Sequence, residues 1–208
     1  MAKPKTAFVC SECGGSSNKW QGQCSDCGAW NALSEIVLAP SASTENRRMG
    51  YAGQPAAAVV TRLDQVPQGV ESRTEVGISE LDRVLGGGLV DGSVVLIGGD
   101  PGIGKSTLLL QALDAMAARM PGLYVTGEES LAQVASRAGR LGLSLAGLHC
   151  LTETCVERII THLMQAKPRL AVIDSIQTIY SEQLPAAPGS VSQVRESAAR
   201  LVRLAKEQ

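Results

Sequence analysis

The sequence predicts an α/β fold, a mostly parallel sheet with helices on both faces, preceded by a small four-cysteine zinc finger. Three observations carry that reading. They are a glycine-rich loop at Gly99–Thr107, apolar runs alternating with helical patterns beyond it, and two Cys-x-x-Cys pairs ten residues apart.

The loop Gly99-Asp100-Pro101-Gly102-Ile103-Gly104-Lys105-Ser106-Thr107 matches G-x-x-x-x-G-K-[ST] at every fixed position, which points to a bound nucleoside triphosphate. A loop that wraps phosphate turns backbone N–H groups inward, and glycine allows the angles and close approach this requires. Lys105 is expected at the β- and γ-phosphates and the Ser106 hydroxyl on magnesium, with the helix dipole adding positive potential. Ser93–Ile97 before the loop reads as a buried strand and Leu108–Arg119 after it as an apolar-rich helix stopped by Pro121.

Composition bounds the rest. The chain has 208 residues with 44% hydrophobic content, room for one α/β domain and a small module. Lys and Arg number 19 against 20 Asp and Glu, so no global basic field announces nucleic acid. Aromatics are 3%, which makes the core aliphatic and leaves few rings for base stacking. No apolar run approaches the ~20 residues of a membrane span and no signal pattern opens the chain, so the expectation is a cytoplasmic protein without a membrane partner.

In chain order, residues 1–38 hold Cys10, Cys13, Cys24 and Cys27. Two such knuckles present four thiolates as a tetrahedral zinc site, and in a cytosolic chain this outweighs two disulfides or a redox pair. Gly14, Gly15 and Gly28 follow the knuckles, where positive φ is expected. A module this small folds on its metal. Trp20 and Trp30 are expected to pack together as its core, with Lys19-Trp20 on a base or phosphate as the alternative. Residues 39–68, rich in Ala, Ser, Pro, Gly and Gln, read as a linker in which Arg47-Arg48 is too short a charge run to matter. Residues 69–208 form the nucleotide-binding core.

Within that core Ile78, Leu81, Val84 and Leu85 lie at helical spacing and Gly86-Gly87-Gly88 ends the helix. Beyond the loop come a strand at Leu123–Thr126, a helix at Leu131–Arg140 and a strand at Leu148–Leu151. A helix bearing Val156, Ile159, Ile160 and Leu163 follows, opened by capping-box spacing from Thr154 to Glu157 and closed at Pro168. A strand at Leu170–Asp174 and a helix at Val194–Lys206 complete the alternation. Cys150, Cys155, His149 and His162 read as ordinary core or surface residues.

Asp174 ends its strand where parallel sheets place their chemistry, and is expected on magnesium, directly or through water. Glu128 and Glu129 follow the Leu123–Thr126 strand at the same end. One of them can activate the water that attacks the γ-phosphate while the other caps the next helix.

Five stretches together resemble the RadA (Sms) family of bacterial DNA repair proteins, RecA-like ATPases. They are the cysteine module with Lys19–Cys24, Leu81–Gly88, Tyr124–Ser130, Val172–Gln177 and Pro188–Val191. The resemblance implies a RecA-like P-loop sheet and a DNA-dependent ATPase of recombinational repair. Such an ATPase binds single-stranded or branched DNA and uses ATP, with Mg2+ and the finger's Zn2+, for branch migration. It also implies a RecA-type recombinase as partner and a homo-oligomeric ring, a hexamer in the full-length family. By position, Glu128 resembles the catalytic glutamate, beside Lys105 and Asp174, with Glu129 second. Chains of this family continue past Gln208 with a further sheet strand between the phosphate-loop strand and the Asp174 strand. The expectation is therefore an N-terminal fragment with an incomplete sheet and weak or no hydrolysis. The alternative function is a nucleotide-gated DNA- or protein-binding module without useful turnover. A metabolic P-loop kinase would need an acceptor site and a basic lid, and neither is evident.

Overall fold

The computed structural model describes residues 6–37, 62–65, 72–144 and 147–207. Most of the expected linker, with Arg47 and Arg48, lies outside the described residues. Within it Leu63–Gln65 form one 3-10 turn.

At the start, β1 (Thr6–Cys10) pairs antiparallel with β2 (Ser16–Ser17) and β3 (Leu33–Val37). The ribbon's small core is Cys10, Cys24 and Leu33, with Phe8, Ala29 and Ala32 against it. The expected Trp20–Trp30 core is not formed: the indoles are 58% and 72% exposed, because the cysteine cluster already fills the space between the knuckles.

Next, β4 (Arg73–Thr74), α1 (Ser79–Val84) and β5 (Leu89–Val90) form a small unit in which the helix stands where its spacing and the three glycines place it, while the two short antiparallel strands flanking it were not anticipated. Asp82 holds its entry, accepting from the backbone N–H groups of Val76 (2.6 Å) and Gly77 (2.9 Å). Ile78, Leu81 and Leu85 cover the outer side of α2 (Lys105–Ala117) at Ala112 and Met116, whereas Val84 faces solvent.

The central sheet is parallel, in the order β7 (Leu148–Thr152), β6 (Gly122–Thr126), β8 (Leu170–Asp174). Every residue of β6 is buried, as a middle strand covered on both faces must be. One face carries α2 and α3 (Leu131–Arg140), with Leu110, Leu113 and Val134 packed on Tyr124 and Val172. On the other lie α4 (Val156–Ala166) and α5 (Val191–Glu207), where Val156, Ile159, Leu163 and Leu204 meet Leu123, Val125 and Ile173.

Three expectations change here. Ser93–Ile97 pairs with no strand among the described residues, and Val94, Val95 and Leu96 are 53%, 46% and 84% exposed. A β-branched run is buried only if strands flank it, and β8, the edge of the described sheet nearest in topology, pairs with β6 alone. The capping box at Thr154 is not used: Cys155 is the N-cap, and the Glu153 carboxylate accepts from the N–H groups of Thr154 and Cys155. The capping box that does form is Ser130 with Gln133 on α3. Finally, α2 and α5 begin earlier than their apolar patterns: α2 opens on the polar Lys105-Ser106-Thr107, and α5 on Val191-Ser192-Gln193, whose one apolar residue is exposed and outside the buried stripe.

Candidate functional site: a phosphate loop facing the ends of a parallel sheet

Gly99, Asp100, Pro101, Gly102, Ile103 and Gly104 form the loop itself, and Lys105, Ser106 and Thr107 the first turn of α2. The N-cap is Gly104, left-handed at φ +102°, so no side chain caps the first amides. Those amides are unsatisfied donors at the positive end of a 13-residue helix. Gly102 is also left-handed, and a Cβ on either glycine would meet nothing within 4 Å. The loop is thus an open cradle of the kind a triphosphate fills. The Lys105 ammonium folds back onto the loop, donating to the carbonyls of Gly99 (2.7 Å) and Asp100 (2.8 Å). Anionic phosphate oxygens are stronger acceptors than these neutral carbonyls.

The helix and the sheet meet through Leu110 and Leu113 on Tyr124 and Val172. In the parallel register Tyr124 lies opposite Val172 and Thr126 opposite Asp174, so all four share the α2 face. Asp174 is therefore carried to the end of the sheet on the side of the phosphate loop, half-buried. The Tyr124 phenol donates to Asp174 Oδ2. Burial, followed by this bond to Asp174 and its charge, raises the phenol's pKa far above its usual value, so the proton stays on the tyrosine.

Glu128 and Glu129 part company. Glu128 is exposed at the mouth, where Ser175 Oγ donates to Oε1 at 2.7 Å. Glu129 turns inward to an ion pair with Arg137 of α3, the side chains only 27% and 20% exposed. Its backbone N–H donates to Thr126 Oγ1 at 3.0 Å. Thus one glutamate is held as a structural partner and its neighbour faces solvent beside Asp174's strand end.

In the ribbon all four cysteine sulfurs lie within 4.8 Å of one another. Cys10 and Cys27 Sγ are 3.7 Å apart and Cys13 and Cys24 3.6 Å. A tetrahedron with ~2.3 Å zinc–sulfur bonds has edges of about 3.8 Å, whereas a disulfide needs ~2.0 Å. The donor set therefore fits zinc and not two disulfides. Gly14 and Gly28 take the positive φ the knuckles need (+74° and +75°). Gly15 does not; a Cβ there would lie 2.1 Å from the carboxylate of the exposed Asp26, which would have to swing aside. Backbone N–H groups of Cys27 and Asp26 draw the Cys24 thiol down to about 7, whereas at Cys13 the Gly15 N–H pulls the same way but is outweighed by its sulfur neighbours, Cys27 first, and by burial, which push that thiol up to about 12.

Sequence reasoning missed Tyr124, Ser175 and Arg137. The signal for Tyr124 was present, a phenol inside an otherwise apolar strand, since a buried tyrosine O–H needs an acceptor. Arg137 sits in the last turn of α3 and is indistinguishable there from an ordinary helix-end cation. His149 and His162 do lie near each other, but in a separate cavity of about 440 Å³ with Cys150, Gln165 and Leu123, away from the phosphate loop.

Known proteins agree with this geometry. The ATPase family described as KaiC matches residues 74–152, and the rubredoxin metal binding domain matches residues 8–35. The ATPase domain calls for ATP with Mg2+, and the four-cysteine ribbon for Zn2+. DNA repair protein RadA of Pseudomonas aeruginosa is 59% identical over 100% of this chain, and that of Escherichia coli 53% identical over 99%. RadA of Bacillus subtilis is 44% identical over 99%. The chain spans about 45% of the length of each of these relatives. Among the described residues, no helix is long and apolar enough to cross a membrane. A likeness that runs from the cysteines to the last helix is more than two domains found side by side: over its whole length the chain is similar to the DNA repair proteins named RadA, and its nucleotide-binding part carries a KaiC-type, RecA-like ATPase domain.

Proposed function

We propose that this chain carries the ATP-hydrolysing site of a DNA-dependent ATPase of recombinational DNA repair. That ATPase binds single-stranded or branched DNA and uses ATP to promote branch migration. In this reading residues 69–208 are the ATPase core, 1–38 a zinc finger and 39–68 the linker. The site acts in the cytoplasm, within a homo-oligomeric ring and alongside a RecA-type recombinase. The DNA repair function is that of the relatives' name, and their likeness over the whole chain supports it.

The observation that carries the catalytic reading is the separation of the two glutamates. Glu129 is committed to Arg137, which leaves Glu128 as the carboxylate at the mouth able to take a proton from water. Lys105 exchanges the carbonyls of Gly99 and Asp100 for β- and γ-phosphate oxygens, and the α2 amides hold the same anion. Ser106 and Asp174 would hold the magnesium, which would supply charge neutralisation to the β- and γ-phosphates. Ser175 donates to Glu128 and so fixes the direction of its free lone pairs.

Glu128→Gln tests this. Turnover should fall by about 10²–10⁴-fold with ATP binding retained, the range for a lost general base. Retained turnover in that variant would remove Glu128 from the reaction. A second reading, a nucleotide-gated DNA- or protein-binding module without useful turnover, is favoured by the Ser93–Ile97 run that leads into the loop, which pairs with no strand among the described residues and leaves Val94, Val95 and Leu96 exposed. It would be supported if the unaltered chain bound ATP and changed its DNA affinity without hydrolysis.

A further inference from the structure

We infer that Tyr124 is a positioning residue for Asp174: its buried phenol holds one oxygen of that carboxylate and leaves the other for the magnesium of the bound nucleotide. This rests on the ATPase reading above. Tyr124 lies in the middle strand and is 1% exposed. It stands opposite Val172, one two-residue step back from Asp174 on the same face of the sheet. That step is about 6.6 Å along a strand, close to the reach of a tyrosine from backbone to hydroxyl, whereas a phenylalanine would stop short. Among the described residues, Tyr124 supplies the only side-chain hydrogen bond to the Asp174 carboxylate. Thr126, the nearer residue in register, is occupied with the Glu129 N–H.

A half-buried carboxylate with one anchored oxygen loses little freedom when the other takes up a metal or a metal-bound water. Partners that orient a metal's ligand commonly change metal affinity by about 10- to 100-fold. The phenol's ring is already fixed by Leu110, Leu113 and Val134, so the hydroxyl is aimed before any ligand arrives. The chain would thus carry its orienting donor in the core, where solvent does not compete for it.

The test is magnesium titration of nucleotide binding by the whole chain with zinc present, using a fluorescent non-hydrolysable ATP analogue. Tyr124→Phe keeps the ring and removes the hydroxyl. The magnesium concentration for half-maximal binding should rise about tenfold, while affinity in EDTA stays unchanged. Asp174→Asn sets the ceiling, and adding Tyr124→Phe to it should move the titration no further. An unmoved titration, or an equal loss with and without magnesium, overturns the inference. In the unaltered protein the Tyr124 hydroxyl proton should exchange slowly with solvent by NMR; a fast-exchanging proton would remove the bond on which the inference stands. If the unaltered chain shows no magnesium-dependent nucleotide binding, the ATPase reading itself fails and takes this one with it.

Discussion

Replacing Arg137 by methionine separates the two adjacent glutamates by stability rather than by activity. Methionine keeps the apolar stem and removes the charge, leaving the Glu129 carboxylate without its ion-pair partner. Removing one member of a fully buried pair costs about 3–5 kcal/mol. The Glu129 and Arg137 side chains are 27% and 20% exposed, so water relieves part of this and the loss should be about 2 kcal/mol. Glu129 Oε2 and Arg137 Nη1 are each buried without a hydrogen-bond partner, so neither group has a second donor or acceptor waiting. With an m-value of roughly 2 kcal/mol/M, the urea midpoint falls by about 1 M. The assay is urea unfolding followed by far-ultraviolet circular dichroism. Adding Glu129→Gln to Arg137→Met should recover part of the loss, since an uncharged amide no longer needs the cation. Glu128→Gln, on an exposed residue with one hydroxyl partner, should stay within about 0.5 kcal/mol. An Arg137→Met midpoint equal to that of the unaltered chain would refute the reasoning: Glu129 would then be free to act as a base, and the assignment of Glu128 would lose its support.

Three further outcomes follow from the same structure. Chelating zinc should abolish amide protection in residues 8–35 while the far-ultraviolet signal of the sheet and helices persists, because the ribbon's core is little more than Cys10, Cys24 and Leu33; a ribbon that keeps its protection in chelator would remove the metal from its folding. Burial pushes the Glu157 pKa up, but hydrogen bonds, from Ser181 first, outweigh it and leave the carboxyl below its usual 4.5, with Arg200 at 2.6 Å. Its stabilisation is therefore complete above pH about 4.5 and fades as the pH falls through the lower folded value, so Glu157→Gln should flatten the acid side of the stability profile; an unchanged acid limb would show the network to be inert. In hydrogen exchange Leu170–Ile173 should be protected and Ser93–Ile97 fast. Slow exchange at Ser93–Ile97 would show that the run has found a pairing partner.

What the residues alone determined were the features whose chemistry is local. A phosphate loop is a run of nine neighbours, and its glycines, lysine and serine act through backbone angles and reach that adjacent residues supply. Four cysteines in two tight knuckles likewise name their metal, and the sulfur separations of 3.6 and 3.7 Å agree. Alternating apolar runs fixed a parallel sheet because only helices on both faces can cover such strands. Tertiary structure decided the matters that depend on distant partners. Glu128 and Glu129 are equivalent in sequence, and α3 separates them by bringing Arg137 to one and not the other. Trp20 and Trp30 look like a core until the cysteine cluster occupies the interior. Ser93–Ile97 has every local mark of a buried strand, yet burial belongs to the neighbours and not to the run itself, and among the described residues no strand lies beside it.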